Sequence, residues 1–171
     1  LTTSNTLLPN FNWASTDISE IKNHYDIKKY ILLFPFCSSH LTIKKWPHYN
    51  ELIKLILGKF GNEFKVIIAP GPSEISESKS INATSILNNE RALDISQLTS
   101  LIKDSSFVIA NDTGPAHIAA HVGAKGLALF GKHTTAFKVN IEREHFKAIQ
   151  VADLNKLSAE KVYERLIDNL N

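Results

Sequence analysis

The sequence predicts an α/β domain: a doubly wound parallel sheet, Rossmann-like, with helices on both faces. Three observations carry that reading. Short apolar runs such as Tyr30–Phe34 (YILLF) and Gly126–Phe130 (GLALF) lack the polar alternation of a half-solvated strand, as strands buried on both sides do. Segments with helical spacing separate these runs, the order that builds a parallel sheet. Three loops with unusual chemistry, Pro35–Lys45, Pro70–Glu74 and Asn111–His117, follow predicted strands. In open α/β sheets ligands bind outside the carboxyl ends of the strands.

Taken in order, residues 1–14 (LTTSNTLLPNFNWA) show no clear period and read as a lead-in. Asp17 and Glu20 form an N-cap pair for a short helix over 18–25. Tyr30–Phe34 is the first strand, followed by a long loop to Pro47. A helix over His48–Phe60 places Leu52, Ile53, Ile56 and Leu57 on one face. Phe64–Ala69 is the next strand, Pro70-Gly71-Pro72 breaks it, and a helix is expected over Glu74–Leu87. A short helix over 96–103 leads to the strand Phe107–Ala110. A helix over Pro115–Val122 precedes the strand Gly126–Phe130, and Ala148–Val151 is the last strand. Ser158 caps the final helix, with Leu157 and Val162 placed as a hydrophobic staple. The division that follows is a lead-in or interdomain linker over 1–29 and one domain over 30–171.

Composition narrows the classes. A formal charge of +2 gives no basic footprint, so no nucleic-acid partner is expected. The longest apolar run, Tyr30 to Cys37, is far short of the ~20 residues that span a bilayer. No signal peptide is visible, and a single cysteine forms no internal disulfide. The expected compartment is the cytoplasm. A chain that starts with Leu1 and has no Met reads as part of a longer gene product.

The chemistry concentrates in VIANDTGPAHIAAHVG, residues 108–123. Asp112 or Thr113 can cap the helix, and Pro115 suits a first turn because it has no N–H to satisfy. A well-made helix start is one reading; an anion cradle of free N–H groups and positive dipole is the other. The dipole contributes only about 0.3–1 kcal/mol when exposed, so a real phosphate site needs further donors. His117 and His121 have the i, i+4 spacing of zinc ligands, but Ile118 stands where the zinc-hydrolase pattern requires Glu. No metal is therefore expected. The loop Cys37-Ser38-Ser39-His40-Leu41-Thr42-Ile43-Lys44-Lys45 is either solvated or the source of hydroxyls and a lysine for a phosphate. Glu74 is either a favourable first-turn acid or an acceptor for ribose hydroxyls, as acids after strands are in nucleotide folds. No Walker loop, G-x-G-x-x-G or G-x-S-x-G occurs.

Lys44-Lys45-Trp46-Pro47, Gly71-Pro72-Ser73-Glu74, Asn111-Asp112-Thr113-Gly114-Pro115-Ala116-His117 and Leu129-Phe130-Gly131 occur here in order. In that order the chain resembles the ADP-heptose:lipopolysaccharide heptosyltransferases, glycosyltransferase family 9. The likeness runs from about Tyr30 to the C-terminus and covers the C-terminal half of that family. The resemblance implies a GT-B fold of which this is the C-terminal, donor-binding lobe. It implies an ADP-sugar donor, an inverting transfer in lipopolysaccharide core synthesis, and no metal or cofactor. Lys44 would contact the donor phosphate or sugar, and Glu74 would hold the ribose. Asp112 would face the transferred sugar, Thr113 and Gly114 would bind the diphosphate, and His117 lies in the same patch. Ser38 and Ser39 fall where the family has small or hydroxyl residues near the phosphates. The catalytic base and the lipopolysaccharide core acceptor site would belong to the N-terminal lobe, with peripheral contact to the cytoplasmic face of the inner membrane.

Two residues depart from the family pattern. Phe36 stands where glycine usually follows the proline, and a large side chain there is expected to close the loop or displace it from the donor. Pro70 replaces a frequent glycine at the approach to the ribose. A different class of function is a free-standing nucleotide-binding module without chemistry, favoured if the native gene ends near Leu1. A sugar-nucleotide epimerase of similar two-lobe build fits the motif set less well.

Overall fold

The computed structural model describes residues 9–170. The first eight residues of the expected lead-in lie outside them. Helix α1 (Ser19–His24) comes first and strand β1 (Tyr30–Phe34) follows. Then come α2 (Tyr49–Phe60), β2 (Lys65–Ile68), α3 (Ile75–Ser78), β3 (Thr84–Ser85) and α4 (Ile95–Lys103). The second half holds β4 (Phe107–Asn111), α5 (Gly114–His121), β5 (Gly126–Phe130), α6 (Ala136–Val139), β6 (Phe146–Gln150) and α7 (Ala159–Leu170).

The six strands form one parallel sheet in the order β3-β2-β1-β4-β5-β6. This is the doubly wound Rossmann order, and its direction of winding reverses between β1 and β4. Alternation along β1 feeds two cores. Tyr30, Leu32 and Phe34 pack with α4 and α5 residues such as Leu101, Ile102 and Ala116. Ile31 and Leu33 pack with Leu52, Ile53 and Ile56 of α2 and Val162 and Leu166 of α7. Period two in a strand assigns neighbours to opposite faces, so one pentapeptide supplies both layers.

The start of β5 requires glycine. A Cβ at Gly126 would lie 2.5 Å from Val108 O and 2.7 Å from the Phe146 ring. The end of α5 requires one for another reason. Gly123 adopts φ +76°, and the Ala124 N–H reaches back to Ala119 O at 3.0 Å, a Schellman closure.

Several elements differ from the sequence reading. The helix expected over Glu74–Leu87 is only one turn, α3, followed by the short edge strand β3. Ser side chains there compete for backbone groups: Ser78 Oγ donates to Ile75 O and Ser80 Oγ to Glu77 O. The Ile86 N–H instead pairs with Ile68 O of the sheet. Leu57 is 44% exposed, because the buried face of α2 runs through Tyr49, Leu52, Ile53 and Ile56 and turns away before it. Helix α4 starts one residue early on an Asp94–Gln97 capping box. Strand β6 begins at Phe146 rather than Ala148, and α6 was not anticipated. Asp17 accepts from the Ser19 N–H, but the N-cap position of α1 is Ile18. Ser158 does cap α7, accepting from the Lys161 N–H at 3.3 Å, beside buried Leu157 and Val162.

Candidate functional site

The reversal between β1 and β4 leaves a crevice where the loops after both strands diverge. Asn111, the last residue of β4, is fully buried and organises it. Its Nδ2 donates to Pro35 O at 3.0 Å, while its Oδ1 accepts from Trp46 N–H at 3.2 Å and Tyr49 O–H at 3.3 Å. One side chain thus pins both ends of the loop after β1. Trp46 adds an anchor, donating from Nε1 to Leu157 O at 2.7 Å while 1% exposed.

Between those pins a 3₁₀ turn over Thr42–Lys44 carries Lys44 across to β4. Its Nζ lies 2.8 Å from Asp112 Oδ2. Lys45 pairs instead with Glu77, so the two adjacent lysines are separated by partner. Asp112 is 4% exposed and has two further neighbours. His117 Nε2 lies 3.6 Å from Oδ1, and His133 Nε2 lies 3.0 Å from Oδ2. Burial alone raises this carboxyl. His117, Lys44 and His133 more than reverse that, holding it well below the ordinary carboxylate range.

Neither Asp112 nor Thr113 caps α5 with its side chain. Thr113 sits at the N-cap in extended conformation, and its Oγ1 donates back to Asn111 O at 3.3 Å. Pro115 occupies the first turn. Among the described residues no acceptor takes the Gly114 N–H, and a Cβ added at Gly114 meets nothing within 4 Å. An open helix start with a lysine beside it is the arrangement that binds anions.

A cleft of about 170 Å³ leads off this point, lined among others by Phe36, Pro70, Glu74, Leu93, Thr113 and Pro115. Glu74 Oε2 accepts from the Gly71 N–H at 2.8 Å and Glu74 N–H returns to Gly71 O at 2.9 Å. The loop is braced by its own acid, whose second oxygen has no protein partner among the described residues. Phe36 is buried beside Trp46 and forms part of the cleft wall with Pro70.

The structure therefore brings together Lys44, Asp112, Thr113, Gly114 and His117, with Glu74 in the adjoining cleft. Ser38 and Ser39 stay exposed at the loop's far end, where the Leu41 N–H donates to Ser38 O and Cys37 Sγ to Leu41 O. His117 and His121 do not converge. His121 Nε2 accepts from Arg143 Nη2 at 2.8 Å, at the other end of α5. Sequence reasoning missed Asn111's clamp and missed His133 altogether. The one available signal for His133 was its place two residues beyond Leu129-Phe130-Gly131.

Known proteins share this fold. No curated protein matches the chain. The solved ADP-heptose lps heptosyltransferase II of E. coli superposes with a TM-score of 0.74 at 18% identity, covering 89% of this chain and 50% of that one. The E. coli heptosyltransferase WaaC with ADP gives 0.70 at 18% identity, covering 84% and 45%. A UDP-GlcNAc 2-epimerase of Methanocaldococcus jannaschii, in complex with UDP-GlcNAc and UDP, gives 0.61 at 14% identity, covering 95% and 44%. These likenesses show the shared fold, that of the C-terminal half of a GT-B heptosyltransferase, and the chain spans about half the length of each. The sequence profile of glycosyltransferase family 9 (heptosyltransferase) matches residues 5–165, so the chain belongs to that family.

Proposed function

We propose that this chain is the donor-binding lobe of an inverting heptosyltransferase acting in lipopolysaccharide core synthesis, with an ADP-heptose as donor. Residues 30–171 are the nucleotide-sugar-binding unit and residues 1–29 the lead-in to it. The observation that carries the reading is the pairing of an open α5 start with Lys44 at the β1/β4 crevice. The helix dipole alone gives about 0.3–1 kcal/mol, so the lysine and the Gly114 N–H are what make a diphosphate site. Support for the ribose assignment comes from Glu74, with a spare carboxylate oxygen in the adjoining cleft.

In the reaction an acceptor hydroxyl attacks the anomeric carbon, and the bond from that carbon to the diphosphate oxygen breaks. The bonding pair leaves with ADP, and Lys44 with the α5 start stabilises the charge that develops there. Asp112 faces the transferred sugar. The hydroxyl proton goes to a base on the lobe this chain does not match in its relatives, which also holds the acceptor. The enzyme works at the cytoplasmic face of the inner membrane by peripheral contact; among the described residues no helix is long and apolar enough to cross a membrane.

Calorimetry with a panel of nucleoside diphosphates tests the reading. ADP and ADP-sugars should bind, weakly and with marked salt sensitivity. No heat from any of them on folded protein overturns the donor-lobe reading, and preference for another base overturns the adenine assignment.

A further inference from the structure

His133 lies on the loop after β5, 21 residues from Asp112 in sequence, yet its ring reaches the central carboxylate. Nε2 is 3.0 Å from Asp112 Oδ2, the same oxygen that Lys44 Nζ approaches at 2.8 Å. The side chain is 8% exposed and stacks on Phe130, with ring centroids 6.0 Å apart and planes 15° apart. Nδ1 is buried and has no hydrogen-bond partner among the described residues. The loop itself is stapled. Gln150 Nε2 donates to Gly131 O at 2.7 Å and Thr134 O at 3.1 Å, and Gln150 Oε1 accepts from Ala136 N–H.

The orientation of this ring has one explanation in polar contacts. Nδ1 gains nothing where it is, so the contact that places the ring is the one at Nε2. A nitrogen at that distance from a carboxylate oxygen must carry a hydrogen, since two lone pairs would repel. His133 therefore donates to Asp112 from a fixed position.

We infer that His133 is a positioning residue that frees Lys44 for the donor: it keeps the buried Asp112 carboxylate compensated when the Lys44 ammonium turns to the diphosphate. Without it, the lysine leaving Asp112 would strip a buried carboxylate of its nearest partner, a strongly unfavourable event. His117, at 3.6 Å from the other oxygen, covers that side only. With His133 in place the ammonium is shared, and binding a diphosphate no longer requires abandoning the acid.

This inference rests on the donor-site reading, and the experiment separates the two. Calorimetry would compare ADP with adenosine on the wild-type protein and on His133→Leu, His133→Gln and His133→Asn. His133→Leu should weaken ADP about tenfold, the loss of one charge-assisted hydrogen bond, and leave adenosine unchanged. Gln carries an N–H to nearly the reach of Nε2 and should restore most of the affinity. Asn is too short and should not. In a Lys44→Met background the His133→Leu effect should vanish, because it acts through the lysine. Full ADP affinity in the Leu variant, a Gln variant as weak as Leu, or an undiminished effect in the Lys44→Met background would overturn the inference. If Leu fails to fold, the Gln and Asn pair carries the same comparison. If wild type binds no diphosphate, the donor reading fails. The positioning claim is then decided by the Asp112 carboxyl in carbon-13 titrations: it should titrate at higher pH in Leu than in Gln, and equal midpoints overturn it.

Discussion

Asp112 is the residue on which the site turns, because a carboxylate 4% exposed survives only with partners. Its folded carboxyl sits below the ordinary 3.8. For an acid depressed on folding, the stabilisation is present above 3.8 and is lost as pH falls through that value toward the folded one. Urea unfolding between pH 5 and 2 should therefore show a steeper loss of stability for wild type than for Asp112→Asn. Equal slopes would mean that the carboxylate is not paired as described. Lys44→Ala should weaken ADP more than adenosine, since of the two ligands only ADP offers phosphates to its charge. Glu74→Ala should weaken adenosine too, by about 1.5–3 kcal/mol for a lost charged acceptor. Equal losses of both ligands in both variants would refute the assignments. Gly114→Ala is a cleaner case. Its Cβ meets nothing in the free protein, so thermal stability should hold or rise by up to about 1 kcal/mol while ADP affinity falls. Unchanged affinity would place the diphosphate elsewhere. The meeting of Lys44, Asp112, Thr113 and Gly114 was legible in the sequence because each lies within a contiguous motif, on a loop that follows an apolar strand. His133 was not, because only the order of strands β4 and β5 brings its loop beside Asp112.

At the scale of elements, the strands were readable because burial on both faces leaves an unbroken apolar signature, as in YILLF. The stretch after Glu74 was not, because a Ser- and Asn-rich sequence with a few spaced apolar residues resembles a weak helix until the sheet claims Ile86. Asn111 shows how an element end becomes a joint. Asn111→Ala removes the acceptor for the Trp46 N–H and the donor to Pro35, while the Tyr49 O–H keeps Phe34 O at 3.2 Å. Each buried group so orphaned costs about 1–3 kcal/mol, and chemical denaturation should register a loss in that range or above. At the far end of α5, His121 is half-buried against Arg143. Burial first, then the Arg143 and His117 charges, lower its pKa below 6.5. A base depressed on folding contributes stability above 6.5 that is lost as pH falls below it. Melting temperature should drop between pH 7 and 5 in wild type, and less so in His121→Gln. A pH-independent melt over that window would contradict the contact.

The whole molecule explains why scattered motifs meet. With strand order β3-β2-β1-β4-β5-β6, the loops after β1, β2 and β4 share one end of the sheet, so residues 44, 74 and 112 become neighbours. The family was legible from motif order and the sheet from apolar runs alternating with helical segments; the other half of the solved heptosyltransferases lies outside the matched length. Holding two reactants in line accounts for roughly 7–11 kcal/mol of a barrier. Residues 1–171 alone should therefore transfer no sugar from ADP-heptose to a lipid A–core acceptor, and an N-terminal lobe supplied as a fusion should restore turnover. Robust transfer by this chain unaided would place the base here. The most direct test of the central claim is a nitrogen-15 amide spectrum of the protein titrated with ADP. The account predicts shifts that saturate and cluster at Lys44, Gly71–Glu74 and Asp112–His117, and that weaken with added salt. Shifts confined to another surface, such as the open cleft beside α1 lined by Asp17, Lys22 and Lys103, would contradict it.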